Sequence, residues 1–164
     1  MVKDNLVMEN VRIMFKNFSG KEDKFNREGN RNFCVMIDDI HEAQRLEDIG
    51  WNIKYLRPME EGLDPQAYLQ VAVNYKNIEP NIYMVTNQNK VRLSEATVGN
   101  LDSADIKNVD LIVSPYNWEV NDKSGVKAYC KTMYVTIDED VFADKYNFNR
   151  PDSFAAMEDD IPFM

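Results

Sequence analysis

The stretch from Val109 to Ile137 restricts what this chain can fold into more than any other. Two β-rich runs, VDLIVSPYNWEV and VKAYCKTMYVTI, flank NDKSG, where Asn121, Asp122 and Gly125 tolerate the left-handed backbone of a tight turn. The pattern predicts one long hairpin. With Val120 opposite Val126, Val109, Leu111 and Val113 share a face with Met133, Val135 and Ile137, a buried face on both strands in one register. Toward the turn the pattern inverts. In that register the formerly buried face carries Asn117, Glu119, Lys127, Tyr129 and Lys131, and the other carries Tyr116, Trp118, Val126, Ala128 and Cys130. The ribbon therefore leaves the core partway along and presents aromatics and lysines beyond it. Two readings stand. Tyr116 and Trp118 pack on another part of the chain, or they form a stacking platform beside cations, the device that holds single-stranded nucleic acid without reading its sequence.

The other elements read as supports. Leu6 to Phe18 alternates, with Val7, Val11, Ile13 and Phe15 on a core side and Arg12, Met14 and Lys16 on a basic side. After the loop SGKEDKFNREGN, a second strand from Asn32 to Ile37 turns Phe33, Val35 and Ile37 inward. The arm between them carries Lys21, Lys24, Phe25, Arg27 and Arg31, and a lone aromatic among cations suits base stacking as well as it suits a solvated loop. Asp39 to Ile49 is a short helix, with Asp39 as cap, Glu42 completing a capping box and Gly50 as the stop. Its apolar side is Ile40, Ala43, Leu46 and Ile49, and His41 lies off it. Trp51, Ile53 and Tyr55 give a third strand with Trp51 in the core; Leu69, Val71, Val73 and Tyr75 give a fourth. Ile82 to Thr86 and Val91 to Leu93 suggest a small hairpin, followed by helical turns near Ser94. The count is five to seven mostly antiparallel strands and one helix. A small oligonucleotide-binding (OB-fold-like) barrel with projecting hairpins fits it, as does a β-sandwich of similar strand number.

Charge and cysteine usage bound the function. The chain of 164 residues is long enough for one domain with its own core, and no run reaches the length of a membrane span. The N-terminus lacks a signal-peptide pattern, so the expected compartment is the one where the chain is made. Cys34 and Cys130 fall in predicted strands as reduced, buried thiols, with no second pair for a metal. A net charge of −9 speaks against nucleic acid at first sight. The distribution softens this. Arg12 to Arg31 holds six cations against Glu22, Asp23 and Glu28, Lys123 to Ile137 holds three lysines and no acid, and residues 151–164 hold four acids and no base. No phosphate loop, nucleophile motif, metal-ligand spacing or cofactor motif occurs, so an enzyme is not expected.

The chain is expected to divide into a binding domain (1–146), a linker (147–156) and a flexible acidic tail (157–164). In the tail Glu158, Asp159 and Asp160 run into Ile161, Pro162 and Phe163; a bare solubiliser has no use for exposed Ile and Phe, whereas charge beside a short apolar plug suits docking into a partner's basic-rimmed pocket. These residues resemble the acidic tip of bacterial single-stranded DNA-binding proteins. From about Met8 onward the chain also resembles a group of bacteriophage single-stranded DNA-binding proteins, most specifically over VDLIVSPYNWEV and GVKAY. The resemblance implies an OB fold, sequence-tolerant binding of single-stranded DNA, a tail that recruits replication, recombination or repair proteins, and action in the cytoplasm of a bacterial host. An oligomer is compatible with it. In two respects the chain departs from the bacterial pattern: Met164 follows Phe163, and the linker is short. Its helix also precedes the third strand, whereas the usual barrel has it between the third and fourth. The candidate DNA contacts are Arg12, Lys16, Lys24, Phe25, Arg31, Tyr116, Trp118, Lys127, Tyr129 and Lys131. The competing expectation, favoured by net charge alone, is an acidic protein-interaction or DNA-mimic module.

Overall fold

The computed structural model describes residues 2–24, 26–58, 60–76, 78–87 and 89–138. Phe25 and the proposed linker and tail lie outside them. The described residues form β1 (Leu6–Asn17), β2 (Arg31–Ile37), α1 (Ile40–Ile49), β3 (Ile53–Leu56), β4 (Gln66–Val73), β5 (Asn81–Val85), β6 (Lys90–Leu93), a 3₁₀ turn (Val98–Asp102), β7 (Ile106–Val120) and β8 (Lys123–Ile137). The sheet order is β3-β4-β2-β1-β7-β8-β5-β6, and an extra pairing of β4 with β8 closes five strands into a ring, β1-β2-β4-β8-β7. This is the OB-like barrel the strand pattern predicts. β3, β5 and β6 extend the sheet beyond the ring, and most pairings are antiparallel; β4–β8 and β5–β8 are parallel.

Alternation fills the barrel. Phe33, Val35 and Ile37 of β2, Leu69, Val71 and Val73 of β4, Val109, Leu111 and Val113 of β7, and Met133 and Val135 of β8 are all buried. Phe18 stacks on Phe33 at 5.3 Å within this core, and Trp51 is buried as its pattern predicts. α1 is capped by Asp39, whose side chain accepts from the His41 backbone N–H at 2.9 Å. Glu42 does not complete a capping box but pairs with Arg45 at 2.6 Å, one turn along its own helix. Ala43 and Leu46 are buried while Ile40 and Ile49 are exposed, so the buried stripe is narrower than the sequence suggests.

β1 departs from simple alternation. Its pairings with β7 and β2 each shift register, and Asn10 and Phe15 take left-handed φ of 53° and 54°. The two bulges re-aim the chain, so Val7 and Phe15, expected in the core, are 64% and 58% exposed, and Met8 is buried instead.

The β7–β8 ribbon also differs from the straight register. Asn121 and Asp122 alone form the turn, with φ of 50° and 66°, as a two-residue hairpin loop requires. Val120 therefore faces Lys123, not Val126. Farther down, Ile112 faces Thr132 while Val113 faces Cys130, leaving Lys131 as an extra residue. That bulge flips every side chain of β8 on its turn side. Ala128 and Cys130 join Val113 on the buried face, and Tyr129, Lys127 and Gly125 oppose Ser114, Tyr116 and Trp118 on the outer one.

Candidate nucleic-acid interface

An open groove of about 460 Å³ lies where the ribbon leaves the barrel. The arm between β1 and β2 supplies one wall, the outer faces of β2 and β4 the floor, and the ribbon the other wall, with Arg31, Gln70, Tyr75, Trp118, Lys127 and Tyr129 among its lining. A barrel of this class binds oligonucleotides across its second and third ring strands, between the first loop and the last hairpin. Here those parts are β2, β4, the arm and the ribbon.

The aromatic wall is built by cross-strand pairing. Tyr116 and Tyr129 meet edge to face at 6.1 Å, and the Lys127 ammonium lies 5.3 Å from the Tyr129 ring centre. Trp118 lies over Gly125. A Cβ there would come within 2.7 Å of Trp118 Cζ2, so only glycine lets the indole lie flat on its partner strand. Tyr116 is 56% exposed and Trp118 38%, which leaves ring surface facing solvent. The base of the ribbon is fixed by Asn117, which accepts from the Val2 N–H at 3.1 Å and donates to the Val2 carbonyl at 2.8 Å.

Arg31 forms the opposite wall. It pairs with Glu95 at 3.3 Å, its guanidinium lies 5.8 Å from the Tyr75 ring centre, and its side chain is 17% exposed. Burial pushes the Tyr75 phenol up to about 12, with Cys130 nearby adding to the shift and Arg31 opposing it. Tyr75 therefore stays neutral. Arg31 Nε and Tyr75 OH are both buried without a hydrogen-bond partner among the described residues.

The arm is rigidly rooted. Asp102 accepts from the backbone N–H groups of Phe18 at 2.7 Å and Ser19 at 3.0 Å. Asn26 donates to the carbonyls of Lys21, Arg27 and Asn30, and accepts from Asn32 at 3.0 Å. Gly20, at φ 73°, lets the two legs approach so closely that a Cβ would stand 3.1 Å from the Gly29 backbone.

Of the candidates read from sequence, the groove gathers Arg31, Trp118, Lys127 and Tyr129, with Tyr116 packed on Tyr129 and Lys131 exposed at the bulge. Lys24 is exposed on the arm. Arg12 stands apart, pairing with Asp38 at 3.2 Å on the outside of β1. Lys16 Nζ donates to the Ala104 carbonyl at 3.0 Å, a tie between β1 and the segment before β7, and Lys16 also lines a depression beside the groove.

Sequence reasoning missed a second depression that shares Asn26, Asn32 and Gln70 with the first and is lined also by Phe15, Cys34 and Tyr68. The signal for Tyr68 and Gln70 was present, since both alternate with buried Leu69 and Val71 on β4. Phe15 had none, because its exposure follows from a bulge that no glycine marks. Phe15, a bulky residue held at positive φ and exposed beside this depression, is thereby a further candidate.

A closed five-stranded barrel with a cationic, ring-lined groove across this face defines the oligonucleotide-binding class of β-protein. The family model described as "Putative phage ssDNA-binding domain" matches residues 1–160, and the chain belongs to that family. Among solved structures, the single-stranded DNA-binding protein from bacteriophage Enc34 in complex with ssDNA has the same fold, with a TM-score of 0.54 at 10% identity over 83% of this chain and 88% of that one. Its C-terminal truncation gives 0.53 at 10% identity over 83% and 87%. No curated protein sequence matches. The family and these neighbours are DNA-binding proteins rather than enzymes. Among the described residues no His, Cys, Asp and Glu cluster could hold a metal, and no helix is long and apolar enough to cross a membrane.

Proposed function

We propose that the chain binds single-stranded DNA without strong sequence preference, laying the strand across the outer faces of β2 and β4 between arm and ribbon. Bases stack on Trp118, Tyr116 and Tyr129, and Arg31, Lys76, Lys127 and Lys131 follow the phosphates, with Lys24 of the arm as a further cation and Phe25 assigned as a further stacking ring. The observation that carries this reading is a local reversal of charge. The chain as a whole carries −9, yet among the described residues the groove is lined by Arg31, Lys76 and Lys127 against Glu95 alone. An acidic mimic of DNA would present the opposite. Amide side chains and rings make up much of the remaining lining, and they suit bases of any identity.

Trp51 is 4% exposed and Trp118 38%, so a quench of emission by oligo-dT reports on Trp118. The expected result is salt-sensitive quenching that disappears in Trp118→Phe. An unchanged emission with oligo-dT in dilute buffer would remove the reading.

The same proposal assigns residues 1–146 to DNA binding, 147–156 to a linker, and Glu158 to Phe163 to the recruitment of replication, recombination or repair proteins in the host cytoplasm. The same reading makes the acidic tail a competitor of DNA for the cationic groove. Removing residues 151–164 is then expected to tighten DNA binding at low salt, and equal affinity with and without them would dismiss the competition.

A further inference from the structure

β8 does not end its aromatic pattern at the groove. On its outer face Lys127 and Tyr129 are followed by the bulged Lys131, then Thr132 and Tyr134. Tyr134 stands beside Tyr83 of β5, its register partner, with ring centres 5.0 Å apart and planes 11° apart. Lys90 of β6 holds its ammonium 5.2 Å from the Tyr83 ring centre and 5.8 Å from that of Tyr134. Arg92, the partner of Tyr83 on β6, adds a cation that Glu79 meets at 3.8 Å. Asp110 faces Tyr134 from β7 and accepts from the Asn10 N–H at 2.8 Å.

A stacked cross-strand pair with an overlying lysine also stabilises a sheet. The arrangement nevertheless repeats, on the same face of the same strand, the tyrosine pair and lysine of the groove wall. Lys131 stands between the two. The bulge at Lys131 produces the repetition, because unbroken alternation from Tyr134 would turn Tyr129 and Lys127 inward. Tyr134 remains 37% exposed, so the pair is not sealed by the fold.

We propose that Tyr83 and Tyr134, with Lys90 and Arg92, form a second stacking site on the outer face of β8, which takes the continuation of a single strand already held in the groove. The proposal rests on the groove reading and extends it. From Lys127 to Tyr134 the strand runs about 23 Å at its usual rise. At the 3.4 Å per nucleotide of a stacked strand, that distance corresponds to about seven nucleotides, and to fewer if the DNA is stretched. A short oligonucleotide fills the groove alone; a long one occupies both sites.

The test compares oligo-dT of about five and about sixteen nucleotides, within the range of site sizes of such barrels. It uses the full chain and two variants, Tyr83→Thr/Tyr134→Thr and Lys90→Gln, with thermal melts to establish folding. In the double variant, loss of one stacked base is expected to weaken long-oligonucleotide binding about 5- to 150-fold and to leave the short one unchanged. Lys90→Gln keeps both rings, and is expected to reduce the log–log salt slope for the long oligonucleotide alone by about 0.7. Unchanged binding of the long oligonucleotide in both folded variants overturns the proposal, as does equal weakening for both lengths. If the double variant does not fold, Lys90→Gln decides by its slope. Failure of the short oligonucleotide to bind the unmodified chain would instead count against the groove.

Discussion

Gly125→Ala tests the architecture of the ribbon without altering a charge or removing a ring. The alanine methyl would stand 2.7 Å from Trp118 Cζ2, 2.9 Å from Cε2 and 3.0 Å from Nε1, so the indole must swing off its partner strand. The backbone at Gly125 lies within a regular strand rather than the left-handed region, so alanine itself fits. The loss is therefore confined to the placement of one stacking surface. A stacked base contributes about 1–3 kcal/mol, so binding of oligo-dT is expected to weaken about 5- to 150-fold, close to the effect of Trp118→Ala. A double-mutant cycle measures this by fluorescence anisotropy with labelled oligo-dT. In the Trp118→Ala background Gly125→Ala is expected to do almost nothing, because the ring it displaces is gone. Full additivity of the two changes, or native affinity in Gly125→Ala alone, would refute the reasoning. The thermal midpoint should move little in either variant, since the ribbon tip lies outside the core.

Three further outcomes follow from named contacts. Lys127→Gln is expected to reduce the salt slope of DNA binding by about 0.7, whereas Lys16→Gln, whose ammonium is tied to the Ala104 carbonyl, should lower stability and leave the slope alone; equal slopes for the two variants would contradict that division. Asp102→Ala strips the acceptor from two backbone N–H groups at the root of the arm and should destabilise the fold by about 1–3 kcal/mol in urea melts. Burial pushes the Cys130 thiol from its ordinary 9.0 up to about 12, so above the unfolded value the unfolded chain releases a proton that the folded chain keeps. Stability should thus be complete below about pH 9 and fall with rising pH toward 12, by about 1.4 kcal/mol per unit from this thiol. Cys130→Ala should flatten that slope relative to the unmodified chain, as read from urea midpoints across the alkaline range.

The elements legible in the sequence were those governed by local chemistry. The β7–β8 hairpin, the Asp39 cap, the Gly50 stop and the inward residues of β2 and β4 follow from turn residues, capping and strict alternation. What escaped was register. Four register shifts, two in β1 and two along the β7–β8 ribbon at Lys107 and Lys131, reverse the side on which neighbouring residues emerge, and none carries the glycine that usually marks one. On β8 a clue existed. Met133 and Val135 have one parity and Ala128 and Cys130 the other, and a strand that keeps both sets in the core must gain a residue between them. Reading that switch would have placed Tyr129 and Lys127 beside Trp118 and Tyr116, rather than on the opposite face. The pairing of Tyr83 with Tyr134 was beyond local reading, because it depends on a parallel contact between strands far apart in sequence.

The ring of five strands is fastened unequally. β7 and β8 are paired almost from end to end, whereas β4 meets β8 through two register pairs, Val71 with Ala128 and Ala72 with Tyr129. This narrow seam runs beneath the groove. An occupant that grips Tyr129 on one bank and Arg31 on the other acts as a suture across the weakest join of the cylinder. The empty protein should exchange the amide hydrogens flanking that join ahead of the rest of the barrel, and filling the groove should slow their exchange more than any others.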